Sequence, residues 1–175
     1  MKTANSILCK VGNWGPVIII WTSIYLLRDK GNMLYYYIVG LILNTILNLV
    51  LKITIQHPRP SVDIDKFNLV LQNFKDDLFK RGIPDIFGMP SGHTQSIIFS
   101  TIYVFLSLKK RNILLFYLLV SLITMWQRVS CNHHTVLQVV AGFVVGSLFA
   151  YTIYNFARKN IIGLLRGRLD DNAPL

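Results

Sequence analysis

The chain of 175 residues is long enough for one domain, and 53% of its residues are hydrophobic. Together with a mean hydropathy of +0.46, this composition excludes an ordinary soluble fold and favours a bilayer as the solvent. The formal net charge of +10 does not indicate nucleic-acid binding, because the basic residues are dispersed among apolar segments and form no continuous stripe.

Five apolar segments approach the roughly 20 residues that a helix needs to cross a hydrocarbon core about 30 Å thick. They are Val11 to Leu27, Met33 to Leu51, Thr94 to Leu108, Asn112 to Trp126 and Thr135 to Ala157. The first is followed by Arg28 without a small-residue cleavage site, which favours an uncleaved span over a signal peptide. The sequence therefore predicts an all-α polytopic membrane bundle of about five transmembrane helices, forming a single domain over residues 1–175.

The connection between the second and third spans contains an amphipathic segment. Its apolar residues recur at steps of three and four, which predicts one interfacial helix with an apolar face: Ile64, Phe67, Leu71, Phe74 and Leu78. Asp63 or Asp65 can cap its start, and Gly82 followed by Pro84 ends it. Two interpretations stay open, namely packing against the bundle and a flap over the mouth of a site.

The distribution of basic residues predicts the orientation of the bundle. One face, formed by the connection between spans one and two, the connection between spans three and four, and the C-terminal tail, has nine: Arg28, Lys30, Lys109, Lys110, Arg111, Arg158, Lys159, Arg166 and Arg168. Five of them lie in two very short loops, where the positive-inside rule has most force. We therefore place the opposite face outside the cytosol, towards a lumen or the extracellular space.

Three polar clusters lie at span ends on that non-cytosolic face. They are KITIQHPRP (residues 52–60), GMPSGHTQ (88–95) and QRVSCNHHTVLQ (127–138). Charged residues at membrane depth are costly, so the convergence of Lys52, Arg59 and Arg128 indicates an anionic ligand. Lysine and arginine suit phosphate oxygens, and the helix that opens at Ser91 and Gly92 directs unpaired backbone N–H groups towards the same anion.

The histidines of these clusters supply the reactive groups. His93 can act as a general acid, and His134 as a nucleophile or base. Ser91 can donate a further hydrogen bond to the anion, and Gly92 allows the backbone to approach it closely.

Two stripes with a spacing of four residues accompany the clusters. Asn44, Asn48, Lys52 and Gln56 form a polar ridge on the second span, which favours hydrogen bonding between helices slightly over direct substrate contact. Gly142, Gly146 and Ala150 continue from His134 and Gln138 on the fifth span. Small residues at this spacing favour close packing inside the bundle over a dimer interface.

The clusters resemble the signature of the type 2 phosphatidic acid phosphatase and haloperoxidase superfamily over roughly residues 33–150. That signature is Lys, six residues, Arg-Pro; then PSGH; then Ser-Arg, five residues, His, three residues, Asp. Its elements are matched by Lys52 with Arg59-Pro60, by Pro90 to His93, and by Arg128 with His134. The spacing from Arg128 selects His134. His133 is interpreted as a solvated loop residue, and contact with the substrate stays open as the alternative.

The resemblance implies a role for each matched residue. Phosphate would be bound by Lys52, Arg59, Ser91, Gly92 and Arg128. His93 would protonate the leaving group, and His134 would become a phosphohistidine. No metal or other cofactor is implied.

Two residues depart from the family signature, because Gln127 stands in place of Ser and Gln138 in place of Asp. Gln138 lies one helical turn after His134, where its carbonyl oxygen can accept the Nδ1–H without adding charge. A diphosphate has a less basic leaving group than a simple phosphate ester and demands less of the nucleophile. This difference predicts a diphosphatase, and GMPSGHTQ and HHTVLQVVAG resemble the dolichyldiphosphatase branch, whose site faces the lumen.

The expected function is therefore hydrolysis of a polyprenyl diphosphate, dolichyl diphosphate in particular, to the monophosphate and inorganic phosphate. The expected protein is a multi-pass enzyme of a membrane such as the endoplasmic reticulum, with its active site on the lumenal face. Its partners would be the lipid substrate and the bilayer, with no nucleic acid. Two alternatives stay open: a phosphatase of phosphatidate or another lipid phosphate monoester, and a catalytically silent lipid-binding protein. A transporter is disfavoured by the absence of an inverted repeat, and haloperoxidase chemistry by the membrane-embedded composition.

Overall fold

The computed structural model describes residues 2–72 and 87–164, and these residues form helices without any strand. The helices are α1 (Lys2–Leu27), α2 (Gly31–Ile55), α3 (Ile64–Gln72), α4 (Gly92–Leu108), α5 (Arg111–Ser130) and α6 (Val136–Leu164). The predicted class, an all-helical membrane bundle, is confirmed.

Among the residues that the structure describes, three helices are long and apolar enough to cross a bilayer, namely α2, α5 and residues 136–161 of α6. Residues 12–27 of α1 form a shorter apolar helix. Large apolar side chains cover the outside of the bundle, for example Trp21, 68% exposed, and Leu148, 66% exposed. An apolar surface of this extent is unfavourable in water and is satisfied by lipid.

The predicted spans agree with the helices except at their ends. The fourth predicted span stopped at Trp126, whereas α5 continues through Arg128 to Ser130, and α6 extends beyond Ala157 to Leu164. The prediction was wrong there because it followed apolarity, while the backbone hydrogen bonds of a helix continue through polar residues. Those extra turns matter, because one of them presents Arg128.

The α4 helix lies at the centre of the bundle and is buried along most of its length. Hydrogen bonds between buried side chains tie it to its neighbours: Tyr37 to Ser100 over 2.9 Å and Thr101 to Ser121 over 3.1 Å. Ser23 and Tyr117 join α1 to α5 in the same way over 2.9 Å. Such bonds hold helices together where burial of apolar surface contributes little, as in lipid.

The start of α4 lies directly on α6. A Cβ atom added to Gly142 would lie 2.6 Å from the Ser91 carbonyl oxygen, and one added to Gly146 would lie 2.5 Å from that of Gln95. The small-residue stripe of the fifth span therefore packs inside the bundle, as predicted. This contact brings the PSGH segment next to the chain that precedes α6.

Part of the predicted interfacial helix is described, as α3. Asp63 caps it, since its Oδ1 accepts the backbone N–H of Asp65 over 2.9 Å, and Phe67 packs edge-on against Phe87. The remainder, from Phe74 to the predicted stop at Gly82 and Pro84, lies outside the described residues. The two ends of this connection are joined by a β-bridge between Pro58 and Phe87 and by the bond from Gly88 N–H to the His57 carbonyl over 2.8 Å.

Candidate active site

The three polar clusters meet at one end of the bundle, around a cavity of about 550 Å³. The cavity is lined by Asn13, Pro16, Val17, Thr45, Asn48, Leu49, Lys52, Arg59, Gly92, His93, Ser96, Arg128, His133 and His134. No acidic residue is among these described residues, and three of them, Lys52, Arg59 and Arg128, bring formal positive charges to the cavity. A site of this kind attracts an anion. Two of the predicted site residues, Ser91 and Gln138, lie behind the wall.

Lys52 is held in the last turn of α2. Only 2% of it is exposed, and its Nζ donates to the carbonyl oxygen of Phe87 over 2.5 Å. A buried ammonium is costly unless it is hydrogen-bonded, and this carbonyl is one of its acceptors. Arg59, half-buried, follows in the segment after α2 and adds a guanidinium to the same wall.

The turn after α5 fixes the position of His134 relative to Arg128. The Arg128 carbonyl oxygen accepts the backbone N–H groups of His133 and His134, over 3.1 and 3.0 Å. Asn132 takes a left-handed conformation with φ of 54° to close the turn. Asparagine is one of the few residues that tolerate this conformation. The spacing of five residues between Arg128 and His134 is thus the length of one closed turn.

The guanidinium of Arg128 points into the cavity from a buried position. The residue is 5% exposed, its Nη1 donates to Asn13 Oδ1 over 3.4 Å, and its Nε has no hydrogen-bond partner in the part of the chain that the structure describes. Burial of an unsatisfied charged donor is costly. An anion in the cavity would satisfy it.

The His134 imidazole is 3% exposed and bonds through Nδ1 to Gln138 Oε1 over 3.0 Å. The orientation of the Gln138 amide is settled by two backbone groups. Its Oε1 faces the Thr135 N–H, which can only donate, over 3.2 Å; its Nε2 faces the Pro58 carbonyl, which can only accept, over 2.7 Å. Nδ1 of His134 must therefore donate to Oε1, and Nε2 keeps its lone pair.

The same imidazole is neutral near pH 7. Burial lowers the pKa of His134 to about 3, and the nearby cations Arg59, Arg128 and Lys52 lower it as well, whereas the hydrogen bond that His134 donates to Gln138 raises it. A neutral imidazole with a free Nε2 lone pair is the form that can attack phosphorus.

Gln138 also caps the start of α6, a structural role that was not predicted from the sequence. Thr135 and Gln138 form a capping box at the start of α6: the Thr135 Oγ1 accepts the Gln138 backbone N–H over 3.3 Å, and Gln138 Oε1 accepts the Thr135 N–H. The spacing TVLQ is a recognised signal for this motif. The glutamine therefore caps the helix and orients the histidine with a single oxygen.

Gly92 and His93 stand in the cavity wall at the N-terminus of α4. Ser91, fully buried, precedes the helix; its Oγ accepts a hydrogen bond from Thr94 Oγ1 over 3.1 Å, and its backbone N–H donates to the Gln138 carbonyl over 3.0 Å. These bonds hold the helix end, with its partial positive charge, against the cavity.

A buried amide network connects α2 to α4 behind the cations. Asn48 Nδ2 donates to Gln95 Oε1 over 2.8 Å, and Gln95 Nε2 donates to Asn44 Oδ1 over 2.9 Å. The predicted polar ridge thus serves mainly to join helices, and Gln56 at its end is exposed with a φ of 48°. Gln95 was missed because its role depends on residues about 50 positions away.

Two further residues belong to the site. Asn13 was not predicted from the sequence, and His133 was interpreted as a solvated residue. Asn13 of α1 contacts Arg128, and a lone asparagine in an apolar span has no motif that reveals this contact. His133, interpreted as a solvated residue, is only half-exposed and lines the cavity, where burial and the charges of Arg128 and Arg59 lower its pKa.

Comparison with known proteins places these features in context. The PAP2 superfamily model matches residues 33–162. The chain is similar to lipid phosphate phosphatase epsilon 1, chloroplastic, of Arabidopsis thaliana, with 33% identity over 162 residues that cover 86% of this chain and 50% of that protein. It is also similar to lipid phosphate phosphatase epsilon 2, chloroplastic, of the same plant, with 30% identity over 158 residues that cover 86% and 48%. The chain spans about half the length of these curated relatives, and no solved structure matches it significantly.

Proposed function

Because the chain belongs to the PAP2 superfamily, we propose that it is a membrane lipid phosphatase that hydrolyses a polyprenyl diphosphate, dolichyl diphosphate in particular, through a phosphohistidine. The observation that carries the proposal is the neutral His134 imidazole, held with its Nε2 unprotonated at the edge of a cavity with three cations.

The reaction proceeds in two displacements at phosphorus. His134 Nε2 attacks the terminal phosphorus, a P–N bond forms and the P–O bond to the leaving monophosphate breaks. Lys52, Arg59 and Arg128 neutralise the charge on the non-bridging oxygens. Burial and the charge of Arg128 lower the pKa of His93 to about 4. His93 takes up a proton together with the anionic substrate, whose charge raises this pKa, and gives it to the leaving oxygen, while the imidazolium keeps the Nδ1–H bond to Gln138.

The second displacement regenerates the enzyme. His93, now neutral, takes a proton from a water molecule that attacks the phosphohistidine. The P–N bond breaks, inorganic phosphate leaves and His134 returns to the neutral form. The cycle consumes one water molecule and requires no metal.

The diphosphate is the substrate of choice because the amide at Gln138 lacks charge. A carboxylate about 4 Å from the developing imidazolium would contribute up to roughly 4 kcal/mol at an effective dielectric of about 20. Without that contribution the nucleophile is weaker, and a diphosphate, whose leaving group is a phosphate monoester, tolerates the loss best. The glutamine is also the residue in which the sequence resembles the dolichyldiphosphatase branch.

A lipid phosphate monoester such as phosphatidate is the second candidate. The observation that favours it is that both curated relatives are named lipid phosphate phosphatases.

The cavity wall supports a lipid as the carrier of the phosphate. Below the cations, the wall is formed by Pro16 and Val17 of α1 and by Thr45 and Leu49 of α2. The Thr45 hydroxyl donates to the Leu41 carbonyl of its own helix over 3.0 Å, so its hydrogen is already used within α2. From Lys52 to Thr45 the wall descends about 10 Å along α2, in the direction that a lipid chain follows.

The proposed topology has five membrane crossings with the cavity on the non-cytosolic face, which is lumenal in the endoplasmic reticulum. Lys30, whose Nζ donates to the Ser107 carbonyl over 3.3 Å, joins the two short basic loops at the end of the bundle opposite the site. Arg166 and Arg168 lie outside the described residues. Thiol labelling of a cysteine placed at Lys109 or at Pro60 in sealed vesicles tests this topology. Labelling of position 109 from the lumenal side would overturn it.

The test of function is phosphate release by the purified protein from a prenyl diphosphate and from phosphatidate under identical conditions. We expect faster turnover of the diphosphate and complete loss in His134→Ala with the fold retained. Rapid quenching traps radiolabelled phosphate that is bound to the protein. The stability of this label in acid and in base then identifies a phosphohistidine, which is stable in base. Equal turnover of phosphatidate would refute the diphosphate preference, and release that survives in His134→Ala would refute the nucleophile. A folded wild-type protein that releases no phosphate from either lipid would be a silent lipid-binding protein.

A further inference from the structure

We propose that His57 is a positioning residue of this site: its Nδ1 accepts a hydrogen bond from the Gln138 amide and so keeps that amide in the orientation that leaves His134 Nε2 unprotonated. The inference rests on the proposed role of His134. His57 belongs to none of the matched signature positions, and it lies 81 positions before Gln138 in the chain.

The Gln138 side chain is fully buried and all of its hydrogen-bonding capacity is used. Its Oε1 accepts from His134 Nδ1 over 3.0 Å and from the Thr135 N–H over 3.2 Å. Its Nε2 lies 2.7 Å from the Pro58 carbonyl oxygen and 2.9 Å from His57 Nδ1. Four partners from two distant segments thus surround one amide.

The 2.9 Å contact identifies the acceptor of the second Gln138 amide hydrogen. The Gln138 Nε2 has only hydrogens to offer, one of which is directed to the Pro58 carbonyl. His57 Nδ1 also lies 3.0 Å from the Pro58 carbonyl oxygen. We take Nδ1 as an acceptor because the second hydrogen of the fully buried Gln138 Nε2 would otherwise have no acceptor among the described residues.

An amide at this position needs such a partner, whereas a carboxylate does not. A carboxylate presents an oxygen to the histidine in either of its two orientations. A glutamine rotated by half a turn would present its NH₂ group to His134 Nδ1, which would then have to accept, and the hydrogen would move to Nε2. That tautomer has no lone pair for phosphorus. Replacing the usual aspartate by glutamine thus creates a need for acceptors that fix the orientation of the amide. His57 and the Pro58 carbonyl supply them.

The test compares two substitutions of the same residue. In His57→Asn, the Oδ1 can take the place of the Nδ1 acceptor; in His57→Phe, a ring of similar size has no acceptor. We expect His57→Phe to lower kcat roughly threefold to tenfold, the value of one buried hydrogen bond, with KM nearly unchanged because the three cations stay in place. His57→Asn should recover most of kcat. Gln56→Asn, an exposed neighbour whose left-handed backbone asparagine tolerates, is the matched control.

Histidine-selective ¹⁵N NMR of the detergent-solubilised protein provides a readout that a merely structural role would not move. We expect His134 as the Nδ1–H tautomer in the wild type and in His57→Asn, and an increased Nε2–H fraction in His57→Phe. Unchanged kcat and tautomer in His57→Phe would overturn the proposal. Equal loss in His57→Asn and His57→Phe, with the His134 tautomer unchanged, would assign His57 to folding of the loop and would also overturn it. The tautomer is measured without substrate, so failure of the proposed function, seen as absent phosphate release by the wild type, is distinguishable.

Discussion

Replacing Gly88 by alanine tests how firmly the Gln138 amide must be held. A Cβ atom at position 88 would lie 2.6 Å from Gln138 Nε2, 2.8 Å from Oε1 and 2.9 Å from Cδ. The backbone of Gly88 lies outside the left-handed region, so the substitution introduces contact without backbone strain. To reach an ordinary contact of 3.4 Å, the amide would have to retreat by roughly 0.8 Å.

That retreat would lengthen the bond from His134 Nδ1, now 3.0 Å, beyond hydrogen-bonding distance. Loss of one or two buried hydrogen bonds costs about 1–3 kcal/mol each in folding free energy. A displacement of this size at the nucleophile lowers kcat about 100-fold. Phosphate release and thermal unfolding in detergent measure both effects. Gly31→Ala is the matched control, since a Cβ atom there meets nothing within 4 Å. Wild-type kcat and Tm in Gly88→Ala would refute the reasoning.

Three further predictions concern charge, substrate and pH. Gln138→Asp should raise kcat/KM for phosphatidate about tenfold relative to kcat/KM for a prenyl diphosphate. The restored charge matters most for the poorer leaving group. An unchanged ratio in parallel assays would leave the glutamine unexplained. Leu49→Trp should lower kcat/KM for long-chain relative to short-chain lipids about tenfold by filling the apolar wall, whereas Ile46→Trp on the exposed side of α2 should not; equal effects of the two would contradict this placement of the chain. Finally, the pKa of His134 is lowered to about 3 from 6.5, so the unfolded chain binds a proton that the folded protein does not. Its contribution to stability is complete above pH 6.5 and about 2 kcal/mol smaller at pH 5, and chemical unfolding of His134→Phe between pH 7 and pH 5 should lack this decrease.

The helices were predictable because each apolar run is long, and apolarity is a property of the sequence itself. The ends of the helices were less predictable. Arg128 belongs to the last turn of α5, although the predicted span ended at Trp126, because a helix persists as long as its backbone bonds and cap are satisfied. The pairing of Arg128 with His134 was predicted from the resemblance to the family signature, and the structure shows that a single closed turn lies between them.

Contacts between distant segments were not predictable from the sequence. His57 reaches Gln138 only because the Pro58 to Phe87 bridge places the segment after α2 beside the start of α4. Asn13 similarly reaches Arg128 across 115 positions. Neither contact leaves a periodic pattern or a fixed spacing in the chain. The capping box of Thr135 and Gln138 was readable, since it is local, but the glutamine was interpreted only as a substitute for the family's aspartate.

The Arg128 carbonyl accepts the N–H groups of both His133 and His134. This turn joins the guanidinium of Arg128 and the attacking imidazole of His134 in one rigid unit. Lys52 and Arg59 belong to another piece, attached to α2. If helices separate to admit a bulky lipid, Lys52 and Arg59 move with α2. The distance from the Arg128 guanidinium to the His134 imidazole stays constant. The separation of guanidinium and imidazole is therefore set within one turn, whereas the orientation of the imidazole also depends on the segment after α2, through His57, Pro58 and Gln138.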